Sequence, residues 1–349
     1  MTSRKSATRA ALALSLIGAA ALSACGGGGS DSGPPVNGVQ PIVVNQLFLE
    51  DGHTGQIAAF PDAKPTSGTT FSNHVVAAVS GATGAMAYDA VHDQLYVAVA
   101  PTSSSPAAIE VFTNASTMTA GKPARTITPD GGIPAFSLIT KLAIDTSTDT
   151  LWVYGRNQAG LLALTNGSLM AIAHASTTSG SVPAGGAVGV RSGGSETFFA
   201  YDGTRDVAYL TGRVDNAGND IPGIAVFDAA STTYSTSGLQ TPTSTIAIDG
   251  ATDIAVDAAH DALYVADPTQ GLWIVRQAST GSPVVVGPLA MAGVTSVSLD
   301  SASDRLVVGA GGSAYVFDQA SSLTAGSPFP AATVVDAGSG SAISSAAFH

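Results

Sequence analysis

The chain contains Ile254-Ala255-Val256-Asp257, followed after three residues by Asp261-Ala262-Leu263-Tyr264-Val265, and this pattern indicates its fold. An apolar strand ends in Asp, a second Asp follows four positions later, and another apolar strand begins. Five copies occur, at steps of 43 to 57 residues. A four-stranded propeller blade needs about 40–45 residues, so the period predicts a β-propeller with extended loops. The Asp pairs are Asp89 and Asp93, Asp145 and Asp149, Asp202 and Asp206, Asp257 and Asp261, and Asp300 and Asp304.

A third strand is predicted after each Asp pair, because short β-branched and aromatic runs bounded by Gly, Pro, Asn and Ser are typical of strands. In the second copy of the repeat this strand is predicted at Leu161-Leu162-Ala163-Leu164. An Ala-Ser pair follows the third strand in four of the five copies, as in Ala278-Ser279.

The two ends of the chain complete one more unit. Asn45-Gln46-Leu47-Phe48-Leu49 matches a second strand, with Asn45 in place of the second Asp, and no first strand precedes it. Ser345-Ala346-Ala347-Phe348-His349 matches a first strand. Pairing of these segments would leave no open edge between the first and last blades. The sequence therefore predicts an all-β fold, a six-bladed β-propeller closed by N- and C-terminal strands in one blade.

The segment from Ile254 through Leu272-Trp273-Ile274-Val275 resembles an NHL or YVTN-type propeller repeat, and the resemblance covers about residues 42–349. It implies that ligands bind on the face that carries the second-to-third and fourth-to-first strand connections. Polar loop residues are common binding groups, and Arg can hold a carboxylate. The ligand-binding candidates on this face are Glu50, Asp51, His53, Arg156, Asn157, Arg213, Asp215, Asp249 and Asp267.

The N-terminus reads as an export signal and an anchor. Arg4, Lys5 and Arg9 precede a short apolar stretch, which ends in Leu22-Ser23-Ala24-Cys25 with the chain's one cysteine. This resembles a bacterial lipobox, which implies cleavage after residue 24 and lipid, including palmitate, on Cys25. Residues 25–41 form a Gly/Ser/Pro tether and 42–349 the propeller. Gly26 after the cysteine implies the outer membrane of the cell envelope.

The formal charge of −12 disfavours nucleic acid and anionic lipid as partners, and it becomes −15 once Arg4, Lys5 and Arg9 are removed. No nucleophile elbow, Walker loop or dinucleotide fingerprint occurs. The sequence therefore predicts no catalytic residues and no cofactor other than a possible calcium ion, and it leaves the oligomeric state open.

The Asp pairs invite two interpretations. They either bracket tight turns, where Asp side chains accept nearby backbone N–H bonds, or form a ring of cation ligands. We expect the first, because each pair is predicted to lie a blade width from the next, too far to share a metal. His92 and His260 precede the second Asp of their copies, and we expect both to be solvated turn residues rather than metal ligands.

Two functions remain open. The first is a non-enzymatic binding or scaffold module, an envelope lipoprotein that presents a rigid disc to a protein or glycan. The second is a calcium-dependent, lactonase-like hydrolase that uses the axial mouth of the propeller, because propellers of that kind hold calcium with a few inner carboxylates and amides.

Overall fold

A computed structural model describes residues 46–61, 65–130, 136–157, 167–183, 187–190, 198–212, 222–233, 242–335 and 343–348. The described strands form six small sheets, each with four or five strands. Consecutive sheets follow one another along the chain, and the last strand returns to the first sheet. The fold is a six-bladed β-propeller, as the repeat predicts.

Each blade is a meander of four strands, ordered from the innermost to the outermost. Blade 1 contains β26 (Ile343–Phe348), β1 (Gln46–Asp51), β2 (Gln56–Pro61) and β4 (Val75–Ala78). Blade 2 contains β5 (Ala82–Asp89), β6 (Gln94–Val99), β7 (Ala108–Thr113) and β8 (Arg125–Asp130). Blade 3 contains β9 (Phe136–Asp145), β10 (Thr150–Asn157), β11 (Gly167–Ala173) and β13 (Ala187–Val190).

The second half repeats the arrangement. Blade 4 contains β14 (Phe199–Asp202), β15 (Val207–Leu210), β16 (Ile224–Asp228) and β17 (Ser244–Ile246). Blade 5 contains β18 (Asp253–Asp257), β19 (Ala262–Asp267), β20 (Gly271–Arg276) and β21 (Val284–Leu289). Blade 6 contains β22 (Val294–Asp300), β23 (Arg305–Ala310), β24 (Ser313–Asp318) and β25 (Val334–Val335).

The ring closes inside blade 1, where the C-terminal strand β26 pairs antiparallel with β1. Leu47 lies opposite Phe348, and Leu49 lies opposite Ala346. The predicted closure is therefore confirmed, and the innermost strand of this blade comes from the other end of the chain.

The hydrophobic core consists of six clusters, and each lies between two adjacent blades. One cluster joins blade 1 to blade 6 through Phe60, Phe71, Val307 and Phe348. Alternation along each strand explains this arrangement, because the two faces of a blade pack on its two neighbours. Each blade needs both of its neighbours to bury its two faces, so we expect the six blades to unfold together as one cooperative unit.

Two blades carry an extra outer strand from the next blade's connection. β12 (Gly180–Pro183) pairs parallel with β8, and β3 (Thr69–Thr70) pairs parallel with β25. The described helices are single turns, namely 3-10 turns at Phe71–His74, Ala115–Thr117 and Ala320–Ser322 and an α-turn at Ala230–Thr233. None of the helices in the described ranges has the length and apolar character needed to cross a membrane.

The third strand of blade 3 differs from the sequence prediction. It is β11 (Gly167–Ala173), paired with β10 through Leu151 opposite Ile172 and Val153 opposite Met170. The predicted segment 161–164 lies outside the described residues. The later strand brings Ala175-Ser176 to the position of the Ala-Ser pair, so all five repeats carry that pair.

Candidate functional site

We call the face with the second-to-third and fourth-to-first connections the upper face, and the opposite face, with the Asp-pair turns, the lower face. At four of the five Asp-pair turns the first Asp accepts two backbone N–H bonds. Asp257 Oδ1 accepts from Ala259 N at 3.1 Å and from His260 N at 3.2 Å. Asp89, Asp202 and Asp300 make the same pair of bonds, and Asp145 accepts from Ser147 N. These carboxylates hold the turn between the two inner strands.

The second Asp of each pair has a different role. Its φ is positive in all five copies, between 50° and 57°, a left-handed conformation that Asp tolerates better than most residues. Its two carboxylate oxygens accept from the backbone N and the hydroxyl of the Ser in the Ala-Ser pair. In blade 4 these distances are both 2.7 Å, from Ser231 N and Oγ to Asp206. The pair thus joins the first hairpin of a blade to the turn after its third strand.

We expect Asp206→Ala to lower the free energy of unfolding by about 1–2 kcal/mol, because the left-handed backbone strains alanine and the bonds to Ser231 are lost. Asp206→Asn is the matched control, since asparagine tolerates this backbone and keeps one acceptor oxygen. In urea denaturation, Asp206→Asn should lose less than half of the unfolding free energy that Asp206→Ala loses. Equal losses for both variants would contradict the turn role.

Adjacent lower turns lie closer together than expected from the sequence. A ligand atom of Asp304 in blade 6 lies within 4.8 Å of those of Asp257 and His260 in blade 5. Asp149 approaches Asp89 and His92 in the same way. The prediction that successive pairs lie too far apart to share a metal is therefore wrong at these two junctions, because the first Asp of one blade lies near the second Asp of the next.

Both histidines are exposed turn residues, as predicted, and each also contacts the first Asp of its turn. Nδ1 of His92 and of His260 lies 2.7 Å from an Oδ2 atom, of Asp89 and Asp257 respectively. The side chains are 36% and 48% exposed. Each imidazole thus contacts the first Asp of its own turn, and a carboxylate oxygen of the next blade lies within 4.8 Å of it.

The upper-face candidates divide by burial. Glu50, Asp51 and Asp267 are buried, so they offer no surface to a docked partner. Asp51 accepts from His53 N and Thr54 Oγ1, and Asp267 accepts from Thr269 N and Gln270 N, so both cap upper turns. The sequence places these residues on loops and does not predict their burial. It does show that Asp51 and Asp267 occupy the same position in the repeat.

The remaining upper-face candidates are exposed or lie outside the described part. His53 and Asp249 are exposed, and Arg156 is half-buried at the end of β10. Asn157 is placed only as part of β10. Arg213, Asp215 and Cys25 lie outside the described residues.

Glu50 is the most perturbed carboxylate in the described part of the chain. Its Oε1 accepts from Gly84 N of blade 2 at 3.1 Å, and its buried Oε2 has no hydrogen-bond partner there. Burial raises the pKa of Glu50 to about 7, the Gly84 bond opposes the shift, and the Asp51 charge adds to it. Equivalent positions in the other five blades hold Ala98, Tyr154, Thr211, Ala266 and Gly309, so Glu50 is the one carboxylate at this position. A comparison of the repeats with one another would have revealed this exception.

The innermost strands of all six blades surround an axial channel of about 200 Å³. Most of its described lining residues have apolar side chains, including Met86, Leu142, Phe199 and Ile254, and Lys141 is the one charged side chain there. Lys141 Nζ forms an ion pair with Asp253, whose Oδ2 also accepts from Val297 N at 3.0 Å. The ammonium and both oxygens of this carboxylate are therefore engaged inside the ring.

Comparison with known proteins gives a likeness in fold. No protein-family model matches the chain, and no curated protein sequence matches it. A chain in the crystal structure of a nidogen/laminin complex superposes with a TM-score of 0.53 at 14% identity, over 87% of this chain and 98% of that one. At this identity the likeness concerns the fold alone, and the protein is similar to that chain as a β-propeller.

Proposed function

We propose that this protein is a non-enzymatic binding module, held at the bacterial envelope by lipid on Cys25, whose upper face binds a protein or glycan. The observation that carries the proposal is the axial channel. Most of its described lining residues have apolar side chains, and its one charged side chain is already paired with Asp253. A propeller hydrolase needs free catalytic or ligand groups at this place, and those present hold the blades together.

The similar chain comes from a structure of a protein–protein complex, which is consistent with a propeller used for protein binding. The upper face of this chain offers polar and charged groups of mixed type, among them His53, Arg156 and Asp249. Such groups at the rim of a rigid scaffold suit recognition without chemistry.

The alternative, a calcium-dependent lactonase-like hydrolase, requires inner carboxylates free to hold the ion. In the described channel the Asp253 carboxylate is already paired with Lys141 and accepts a hydrogen bond from Val297 N, so it is not free to hold a calcium ion. We therefore expect millimolar calcium to leave the melting temperature unchanged. A ligand of the folded state at a hundred times its Kd adds about 2.7 kcal/mol, so a calcium site would be evident.

The binding role is tested by affinity capture from envelope extract with the full chain carrying Cys25→Ser, which should also leave the membrane fraction. Any captured partner is then titrated against Arg156→Ala on the upper face. Lys122→Ala, an exposed residue of the lower face, is the matched loss of one positive charge. We expect at least a fivefold weaker affinity for the first variant only. Equal affinities would place the partner elsewhere, and hydrolysis of a lactone would favour the alternative.

A further inference from the structure

The junction between blades 5 and 6 brings three metal-ligating groups together on the lower face. One ligand atom each from Asp257, His260 and Asp304 lies within 4.8 Å of the other two. Asp257 is buried, Asp304 is half-buried and the His260 side chain is 48% exposed. The group is thus anchored in the fold on one side and open to solvent on the other.

A buried hydroxyl without a partner faces the same junction. Tyr264 is fully buried, and its oxygen has no hydrogen-bond partner among the described residues. Burial raises the pKa of this phenol, Arg276 opposes the shift, and the charges of Asp257 and Asp304 add to it. Tyr264 belongs to the cluster that packs between blades 5 and 6. An unsatisfied buried hydroxyl is costly, and a water held at this junction would satisfy it, although the Tyr209 hydroxyl at the junction between blades 4 and 5 likewise has no partner in the described chain.

Arg276 also lies near the Tyr264 hydroxyl, but it does not meet hydrogen-bond geometry with it. Its Nη2 donates to the carbonyl oxygens of Ser321 and Leu323, at 2.6 and 3.1 Å. This guanidinium is committed to the neighbouring blade and leaves the cluster of Asp257, His260 and Asp304 unfilled.

The equivalent junction between blades 4 and 5 contains a built-in cation. Arg205 occupies the repeat position of His260, with Nη1 2.9 Å from Asp202 Oδ2 and Nε 3.9 Å from Asp261 Oδ1. Asp202 and Asp261 correspond to Asp257 and Asp304, one blade earlier. The ring therefore accommodates positive charge between the first Asp of one blade and the second Asp of the next.

The carboxylates of the 5/6 junction are already oriented by other bonds. Asp304 accepts from Ser321 N at 2.7 Å and from Ser321 Oγ at 2.6 Å. Asp257 Oδ1 accepts from two backbone N–H groups of its own turn. A carboxylate has about four acceptor positions, so each keeps capacity for a metal. Such outer bonds are typical of what fixes ligand orientation in metal sites.

We propose that Asp257, His260 and Asp304 form a binding site for a divalent transition-metal ion, with zinc as its representative, that links blades 5 and 6. His260 Nδ1 and one oxygen of each carboxylate would be the ligands, and a water would take the fourth position. Imidazole with carboxylates favours such ions over calcium and magnesium, which prefer oxygen alone. Tetrahedral ligands of zinc lie about 3.3 Å apart, so the 2.7 Å contact between His260 and Asp257 opens slightly.

The junction between blades 2 and 3 provides an internal comparison. Asp89, His92 and Asp149 have the same ligand types. There, however, the buried Tyr96 hydroxyl donates to Gln94 Oε1 at 3.0 Å, so no unsatisfied group faces the cluster. We expect this junction to bind zinc more weakly.

The test is calorimetric titration of the full chain with zinc chloride at neutral pH. We expect saturable binding that His260→Arg weakens at least tenfold and that His92→Arg largely preserves. Arginine is chosen because Arg205 shows that the fold accepts it at this position, and circular dichroism checks the fold. Absence of saturable binding, or binding unchanged by His260→Arg, would overturn the proposal, as would loss in His92→Arg alone.

Two further measurements use a chain with all three ligands intact. Anomalous scattering at the zinc edge from a soaked crystal should place the ion about 2.0–2.1 Å from His260 Nδ1. Tyr264→Phe should weaken zinc binding severalfold while the protein stays folded. An anomalous peak elsewhere, or a zinc affinity unchanged by Tyr264→Phe, would overturn the assignment.

Discussion

Deletion of residues 345–349 is expected to unfold the whole propeller at room temperature. These residues carry four of the five paired positions that join β26 to β1. Without them the ring opens in blade 1, and the second strand becomes an unprotected edge. Burial of Phe348 alone contributes about 2 kcal/mol, and the lost ladder and the exposed Leu47 and Leu49 add to this. The total approaches the whole stability of a typical domain, about 5–15 kcal/mol.

Calorimetry and near-ultraviolet circular dichroism measure this loss directly. A deletion of 26–35 is the matched control, because it removes chain from the expected tether, and it should leave the melting temperature unchanged. A synthetic peptide of residues 343–349 should partly restore the fold in trans, since β26 pairs as a separate strand. A truncated chain that melts like the full one would contradict the importance of closure.

The ring itself was predictable from the sequence, because the Asp pairs recur at a blade-like period and the end segments match missing strands. The third strand of blade 3 was not, since the apolar run 161–164 resembles a strand as much as Gly167–Ala173 does. The register became clear only through the pairing of β11 with β10. Local composition cannot decide between two such runs.

The contacts between blades were also not predicted from the sequence. His260 and Asp304 are 44 positions apart in the sequence, but turns of adjacent blades bring them close together. The spacing of residues within one repeat cannot predict this contact. The sequence did not predict the burial of Glu50 for a similar reason. Its loop-like context suggested solvent, whereas the face of β1 that carries it packs against blade 2. In both cases the missing information is the packing of one blade on the next.

We expect the stability of the folded protein to fall with rising pH because of Glu50. Its pKa is raised to about 7 in the folded protein, against an ordinary value of 4.5. The folded state therefore holds a proton that the unfolded chain has released between these values. Stability is fully present below about pH 4.5, falls as pH rises to about 7, and is constant above that. The expected loss is roughly 3 kcal/mol, because each pKa unit corresponds to about 1.4 kcal/mol.

Glu50→Gln should remove this dependence, since glutamine keeps the acceptor for Gly84 N and never ionises. Urea denaturation at pH 5 and pH 8 measures the change in unfolding free energy, and the difference between wild type and variant cancels other titrating groups. Glu110→Gln is the comparison variant, because Glu110 is only half-buried on β7, although burial also raises the pKa of its carboxyl. If Glu50→Gln were less stable than wild type by the same amount at both pH values, the buried carboxylate would have to be ionised and held by a cation at this blade junction. If the folded protein keeps Glu50 protonated, Glu50→Gln should have a higher unfolding free energy than wild type at pH 8 but not at pH 5.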